Sequence, residues 1–180
     1  MSAIYSRISE NAEQYPHKKA IIDADGSALS YREFNSAVQS AATHLCNQLS
    51  QCSNYNLFQS KSNPPVLLLA SDSINSVVTV VALNLLGLSV APMNAGLGIH
   101  SLRTAGQAVN AGAILHDTAY ADKAARLATE TCAAIAIDHA SAADVASIPA
   151  TAGSDDYDYL LTLSSGSTGD PKPVVYTDKG

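Results

Sequence analysis

The sequence predicts an α/β fold in which a mostly parallel sheet is flanked by helices, with a short β-hairpin near the N-terminus. Two observations carry most of this prediction. From Pro65 onward, short apolar runs alternate with helical patterns, which is typical of parallel strands joined by crossover helices. The runs Val66-Leu67-Leu68-Leu69 and Ile135-Ala136-Ile137 are apolar on both faces, which favours central strands of such a sheet.

The first 49 residues predict a helix, a hairpin and a second helix. Apolar Ile4, Ile8, Ala12 and Tyr15 recur at helical spacing, so a helix is expected over 3–15. Strands at 20–23 and 28–30 meet across Asp25-Gly26, a dipeptide that accepts the positive φ angles of a hairpin turn.

The second helix is expected over 31–49 and begins with a capping box. Ser30 precedes it as the N-cap, and Glu33 stands three residues further on. One apolar face is predicted to be buried, formed by Phe34, Val38, Ala41, Ala42, Leu45 and Leu49.

The alternation after Pro65 predicts four further strands and three helices before a final strand. The strands are expected at 66–70, 89–93, 113–116 and 134–137, and the helices at 74–87, 101–110 and 118–129. An Ala/Ser/Asp-rich passage at 141–156 then leads into the final strand at 157–163. We therefore divide the chain into 1–49, a polar linker at 50–64 and an α/β subdomain at 65–180, a single incomplete domain overall.

Bulk composition excludes several functional classes. The chain has 180 residues, is 47% hydrophobic and carries a formal net charge of −6 with only 10 Lys and Arg, so no nucleic-acid partner is expected. The apolar run 77–88 is too short to cross a membrane. The three cysteines, Cys46, Cys52 and Cys132, have no metal-ligand spacing, and no metal site is expected within the chain. No targeting leader is recognised, so the cytoplasm is the expected compartment.

The stretch after the final strand carries the main functional signal. Ser164-Ser165-Gly166-Ser167-Thr168-Gly169-Asp170-Pro171-Lys172 combines flexible glycines, hydroxyl groups and an ammonium group, which is chemistry suited to phosphate. Its spacing differs from the common P-loop and from the dinucleotide fingerprint. The alternative interpretation is a flexible surface linker, since Ser, Gly, Thr and Pro also predominate in linkers.

These nine residues resemble the signature loop of the adenylate-forming superfamily, which includes acyl-CoA synthetases, adenylation domains of non-ribosomal peptide synthetases, and luciferases. Two upstream segments are also similar to that family and occur in the same order. They are Leu29-Ser30-Tyr31-Arg32-Glu33-Phe34, and the run 82–94 with its apolar helix, Gly87 turn and Val90-Ala91-Pro92 strand. The resemblance implies that the chain is the leading subdomain of such an enzyme's N-terminal domain.

The resemblance implies an AMP-binding ligase in which ATP and a carboxylic acid give an acyl-adenylate and pyrophosphate, followed by thioester formation with CoA or a carrier-protein thiol. ATP and Mg²⁺ are the implied cofactors. The implied nucleotide-binding residues are Ser164, Ser165, Gly166, Ser167, Thr168, Gly169 and Lys172. Pro173 departs from the Gly that is usual there, and Asp178 stands near the position of a common His.

Family members extend well beyond the equivalent of Gly180 and place their catalytic residues and Mg²⁺ ligands there, so none is expected within this chain. The chain alone is therefore expected to be a truncated, inactive fragment that needs the missing C-terminal portion or a partner chain. Two alternatives remain: a non-catalytic interaction subunit or split-enzyme piece that retains the fold, and a small standalone phosphate-binding α/β protein.

Overall fold

A computed structural model describes residues 3–57, 63–129, 132–137, 158–164 and 172–177 of the chain. These residues form five α-helices, one 3-10 turn, a two-stranded hairpin and a six-stranded sheet. The helices are α1 Ala3–Gln14, α2 Tyr31–Leu49, α3 Ile74–Leu85, α4 Ile99–Ala108 and α5 Ala121–Leu127. The strands are β1 Lys19–Ile22, β2 Ala28–Ser30, β3 Val66–Leu69, β4 Val90–Pro92, β5 Ala113–His116, β6 Ala133–Ala136, β7 Asp158–Ser164 and β8 Lys172–Thr177.

Helix α2 forms as the sequence predicts, with the same bounds. The Ser30 hydroxyl accepts from the Glu33 N–H at 3.3 Å, and the Glu33 carboxylate accepts from the Ser30 N–H at 2.8 Å, which completes the capping box. All six residues of the predicted apolar face are buried. Local capping and hydrophobic periodicity were therefore sufficient to define this helix.

Helix α1 buries a face that matches the predicted one only in part, since Ile8 is buried as expected. Tyr5 and Ile8 are buried, whereas Ile4 is 37% exposed and Tyr15 is 53% exposed and lies beyond the end of the helix. The Tyr5 hydroxyl accepts a hydrogen bond from Gln39 Nε2 on α2 at 2.8 Å. Packing on α2 thus selects a face that the spacing of apolar residues did not single out.

The hairpin forms across Asp25-Gly26, as the sequence predicts. The Asp23 N–H donates to Ser27 O at 2.8 Å, which leaves three residues in the loop. Only Gly26 takes a positive φ, 87°, among the described residues of this turn. A three-residue loop needs a single left-handed position, so Asp25 stays in an ordinary conformation.

The large sheet has the order β6-β5-β3-β4-β7-β8. Every pair from β6 to β7 is parallel, and only β8, which pairs with β7, is antiparallel. Val66 and Leu68 pack with α1, α2 and α3 on one face, whereas Leu67 and Leu69 pack with α4 and α5 on the other. The predicted mostly parallel sheet flanked by helices is confirmed.

Several predicted elements differ from the structure. The run that ends at Ile137 was expected to be a central strand, but β6 lies at the edge of the described sheet and is mostly half-exposed or exposed. The helix expected over 118–129 is a 3-10 turn at Thr118–Tyr120 followed by α5, and it ends because Ala128 is extended (ψ 146°). Strand β8 was not predicted at all.

Helix and strand boundaries elsewhere shift by one or two residues. Helix α3 stops at Leu85, and Gly87 takes a positive φ of 70° that lets the Leu88 N–H reach Leu83 O at 2.9 Å. Helix α4 starts two residues earlier than predicted, at Ile99.

The described part of the stretch 50–64 is tied to the sheet. Tyr55 and Leu57 are buried in the core beside α2. Asn54 Nδ2 donates to Gly112 O at 2.9 Å, and the Tyr55 hydroxyl donates to Pro65 O at 3.3 Å. The three-part division of the chain remains a prediction. Among the described residues, no helix combines the length and apolar character that a membrane span requires.

Candidate functional site

The predicted phosphate-binding loop connects two antiparallel neighbours at one edge of the sheet. Strand β7 ends at Ser164, strand β8 begins at Lys172, and these two residues are register partners. Register partners in an antiparallel pair have Cα atoms about 4.5–5.5 Å apart. The segment between them therefore leaves and re-enters the sheet at nearly the same point. Lys172 is exposed there.

Most of the predicted site lies in that connection. Ser165, Gly166, Ser167, Thr168 and Gly169 lie outside the described residues. Of the seven predicted binding residues, the structure places the backbone of Ser164 and the exposed Lys172 next to each other. Pro173, the departure from the family pattern, lies in β8 opposite Leu163. Asp178 is also outside the described residues.

The loop leaves from the carboxyl edge of the parallel strands. Strand β7 is parallel to β4 through the pair Val90 and Leu160, so Ser164 lies on the same side as the ends of β3, β4 and β5. In open parallel sheets ligands bind in the crevice outside the carboxyl ends of the strands. The strand pairing thus puts the two ends of the predicted loop, Ser164 and Lys172, at the edge where the topology favours a ligand.

A cavity of about 600 Å³ opens at this carboxyl edge. Its apolar wall includes Val77 and Met93, and its polar lining includes Ser71, Asp72 and Asn94. None of the described residues that line it is a Lys, Arg or His. The cavity itself therefore offers hydroxyl and amide groups and the Asp72 carboxylate, and Lys172 is a cation at the same edge of the sheet.

Asp117 organises the turn after β3. Its Oδ2 accepts from the Ser71 N–H at 2.8 Å and from the Ser71 hydroxyl at 2.7 Å, while its own N–H donates to Leu69 O at 3.2 Å. Its Oδ1 is buried and has no hydrogen-bond partner among the described residues. A half-buried carboxylate that accepts from two donors on one oxygen fixes the turn that lines the cavity.

Lys123 organises the turn after β4. Its ammonium group donates to Leu97 O at 3.1 Å and also to Ala95 O. Within the same turn the Gly96 N–H donates to Asn94 Oδ1 at 2.8 Å. No local sequence motif marks Asp117 or Lys123, because each acts on a turn that is far away in sequence.

None of the described residues that line the cavity at this edge is a histidine or a cysteine. His116 is 7% exposed and its Nδ1 lies 3.0 Å from Asp117 O, His100 is exposed, and His139 lies outside the described residues. Burial raises the pKa of the thiol groups of Cys46, Cys52 and Cys132, so all three favour the neutral, protonated form. Within the described ranges, no three His, Cys, Asp or Glu residues group as metal ligands.

The sequence matches one known protein family. A protein-family model described as "AMP-binding enzyme" matches residues 8–180. No curated protein matches the sequence.

Solved structures share the fold at low sequence identity. The N-terminal domain of FACL13 from Mycobacterium tuberculosis, with an inhibitor bound, has a TM-score of 0.77 and 20% identity over 99% of this chain and 45% of its own. The N-terminal subdomain of NpsA from Klebsiella oxytoca, in complex with 3-hydroxybenzoyl-AMSN, has a TM-score of 0.77 and 19% identity. The match covers 99% of this chain and 42% of the NpsA chain. O-succinylbenzoate coenzyme A synthetase (MenE) from Bacillus subtilis, in complex with ATP and magnesium ion, has a TM-score of 0.73 and 21% identity. The match covers 94% of this chain and 42% of the MenE chain. The chain thus spans less than half the length of these proteins.

Proposed function

Since the chain belongs to the AMP-binding enzyme family, we propose that it is the N-terminal part of an ATP-dependent ligase that activates a carboxylic acid as its adenylate. The observation that carries the proposal is the Ser/Gly/Thr-rich loop, which the β7–β8 hairpin holds at the carboxyl edge of the sheet between Ser164 and Lys172. The fold shared with MenE, FACL13 and NpsA supports it.

The proposed reaction joins two anions. A carboxylate oxygen attacks the α-phosphorus of ATP, the bond from that phosphorus to the bridging oxygen breaks, and pyrophosphate leaves with the electron pair. Negative charge on the phosphates must be stabilised throughout, so the reaction depends on donors that are already oriented. Transfer of the acyl group to a thiol, of CoA or of a carrier protein, would follow and release AMP.

The loop residues are suited to the phosphate end of this reaction. Ser165, Ser167 and Thr168 supply hydroxyl donors, and the glycines allow successive N–H groups to face an anion. Lys172 is a flexible point charge, which suits the β- and γ-phosphates. Mg²⁺ would neutralise part of the phosphate charge when bound. We assign its ligands to the portion outside this chain, as the resemblance to the adenylate-forming enzymes implies.

The proposal also holds that the 180-residue chain alone is inactive. The acyl pocket and the catalytic groups are assigned to a further portion, on the same polypeptide or on a partner chain, since the similar structures are more than twice as long. A cytoplasmic location belongs to the same proposal and is testable by fractionation.

Pyrophosphate exchange tests the ligase proposal. With the protein in its full native length, labelled pyrophosphate should enter ATP in the presence of the correct carboxylic acid. The double variant Ser167→Ala, Lys172→Ala should lower that rate by roughly 100-fold or more, because two phosphate donors are removed. Lys19→Ala, an exposed lysine at the start of β1, is the matched control and should leave the rate unchanged. Exchange that survives the double variant would contradict the assignment of the loop.

The exposed strand β8 is expected of a second candidate function, a non-catalytic interaction subunit, and equally of a ligase whose further portion covers this strand. Val174, Val175 and Tyr176 are 39–46% exposed on alternating faces, and no further described strand pairs with its outer edge. Exposed apolar side chains of this kind mark surfaces that a partner covers. The Ser167→Ala, Lys172→Ala variant separates the two functions, since it abolishes exchange in a ligase and leaves partner binding intact in an interaction subunit.

A further inference from the structure

A second cavity lies at the amino edge of the parallel strands, away from the phosphate-binding loop. It has a volume of about 270 Å³ and lies between α4, α5 and the sheet. Its deepest residues are Leu67 of β3 and Ile114 of β5, and its mouth includes Asn110 and Thr129, which precede β5 and β6. The two cavities therefore lie at opposite ends of the same strands.

The inner wall of this amino-edge cavity is apolar and well buried. Leu67, Leu102 and Ile114 are each at most 2% exposed, and Leu127 is also buried. Apolar cavities of roughly 150 Å³ stay dry and accept a benzene ring. A cavity of about 270 Å³ has room for a compact apolar group of about two fused rings.

Gly106 of α4 keeps this cavity open. A Cβ atom added there would meet only Leu67 Cδ2, at 3.8 Å, which is ordinary van der Waals contact. Packing therefore does not require glycine at this position, although glycine inside a helix is less stable than alanine. The missing side chain leaves empty space over Leu67 that any larger residue would fill.

The mouth of the cavity carries one positive charge. Arg103 is the only ionised side chain among the described residues that line it. Its guanidinium donates to Arg126 O at 3.1 Å, which uses one of five N–H donors and holds the group at the rim. Gln107 and Asn110 add neutral amides beside it. An apolar interior with a guanidinium at the entrance suits an amphiphile whose head is a planar anion.

We propose that the amino-edge cavity binds a small hydrophobic carboxylate, with the apolar body over Leu67 and Ile114 and the carboxylate at Arg103. This site is separate from the nucleotide loop and does not depend on the proposed function. Its ligand is recognised by size, by an apolar body and by one negative charge.

Binding of 2-naphthoate to the protein in its full native length tests the proposal, measured by titration calorimetry. Saturable binding is expected, and Arg103→Gln should weaken it by about tenfold because a charge-assisted hydrogen bond is lost. The neutral 2-naphthamide should bind about as weakly to the wild type as 2-naphthoate binds to Arg103→Gln. Gly106→Leu should abolish binding by filling the cavity.

Matched variants separate this site from general effects. Arg7→Gln removes an exposed arginine from α1, where Arg7 pairs with Glu10, and should leave binding unchanged. Gly106→Ala adds one methyl group at a position with room for it and should keep the fold. Binding that persists unchanged in Arg103→Gln and Gly106→Leu belongs to another site and would overturn the proposal, as would the absence of saturable binding.

Cysteine alkylation provides a readout in the wild-type protein alone. Cys132 lines the cavity, whereas Cys52 does not. Saturating 2-naphthoate should slow the reaction of Cys132 with iodoacetamide several-fold and leave that of Cys52 unchanged. Equal rates at Cys132 with and without the probe would contradict occupancy of the cavity.

Discussion

Two glycines near the amino edge of the sheet should respond to alanine in opposite directions. At buried Gly112, an added Cβ would lie 2.3 Å from Pro64 Cγ and 2.8 Å from Asn54 Nδ2. Overpacking of this kind costs about 1–3 kcal/mol. Moving Asn54 also weakens its bond to Gly112 O, which is worth about 1 kcal/mol. We expect Gly112→Ala to lower the free energy of unfolding by about 2–4 kcal/mol.

Gly106→Ala should instead stabilise the protein. The new methyl group has room at 3.8 Å from Leu67, and alanine is favoured over glycine inside a helix by about 0.5–1 kcal/mol. For a chain of this size, 1 kcal/mol shifts Tm by roughly 2–4 °C. Gly112→Ala should thus lower Tm by roughly 5–15 °C, and Gly106→Ala should raise it by a few degrees at most.

Urea and thermal unfolding followed by circular dichroism measure both changes against the wild type. The comparison is informative because each variant adds the same methyl group and differs only in what surrounds it. If the two variants unfold within about 0.5 kcal/mol of each other, steric contact at Gly112 does not control stability and the reasoning is refuted.

Four further predictions concern local interactions. Ser30→Ala removes the N-cap of α2 and should lower the unfolding free energy by about 1 kcal/mol in urea denaturation, with Ser30→Gly losing less. Hydrogen bonds from the Ser30 side chain and backbone lower the pKa of the Glu33 carboxyl group. The contribution of Glu33 to the free energy of unfolding is therefore fully present above the ordinary pKa of 4.5 and is lost as the pH falls through the lower pKa of the folded state. Glu33→Gln should flatten this acid dependence in stability measurements between pH 6 and pH 3. Lys123→Met removes the hydrogen bonds to the turn that contains Leu97, and hydrogen exchange at amides 94–98 should accelerate while amides of α2 stay protected. Burial raises the pKa of Cys132, so the midpoint of its alkylation rate against pH should lie above 9.0, and a midpoint below that value would contradict its buried surroundings.

Local signals predicted the elements whose structure depends on near neighbours. The capping box of Ser30 and Glu33 and the apolar face of α2 follow from residues three or four positions apart. The alternation after Pro65 predicted the parallel sheet because a crossover connection leaves a periodic pattern in the sequence.

The errors occurred where distant packing decides between local alternatives. The run ending at Ile137 is apolar on both faces in sequence, yet β6 lies at the edge of the described sheet, since strand order is not encoded in strand composition. Tyr15 fits the helical period of α1 but lies outside the helix, whereas Tyr5 is buried against α2. The pattern over 118–129 predicted one helix, but the helix ends before Ala128, whose backbone is extended and leads toward β6.

For the candidate site too, the sequence predicted some features and only the tertiary structure showed the others. Residue types and order alone predicted a phosphate-binding segment from Ser164 to Lys172, because glycine, hydroxyl and ammonium groups together suit that chemistry. Only the tertiary structure showed that Ser164 and Lys172 are antiparallel partners at the carboxyl edge of the sheet. Likewise, only the structure placed Asp117 against Ser71 and Lys123 against Leu97, contacts between residues 46 and 26 positions apart. The physical reason is that backbone conformation follows from nearby residues, whereas the position of one strand or turn against another depends on the packing of the whole core.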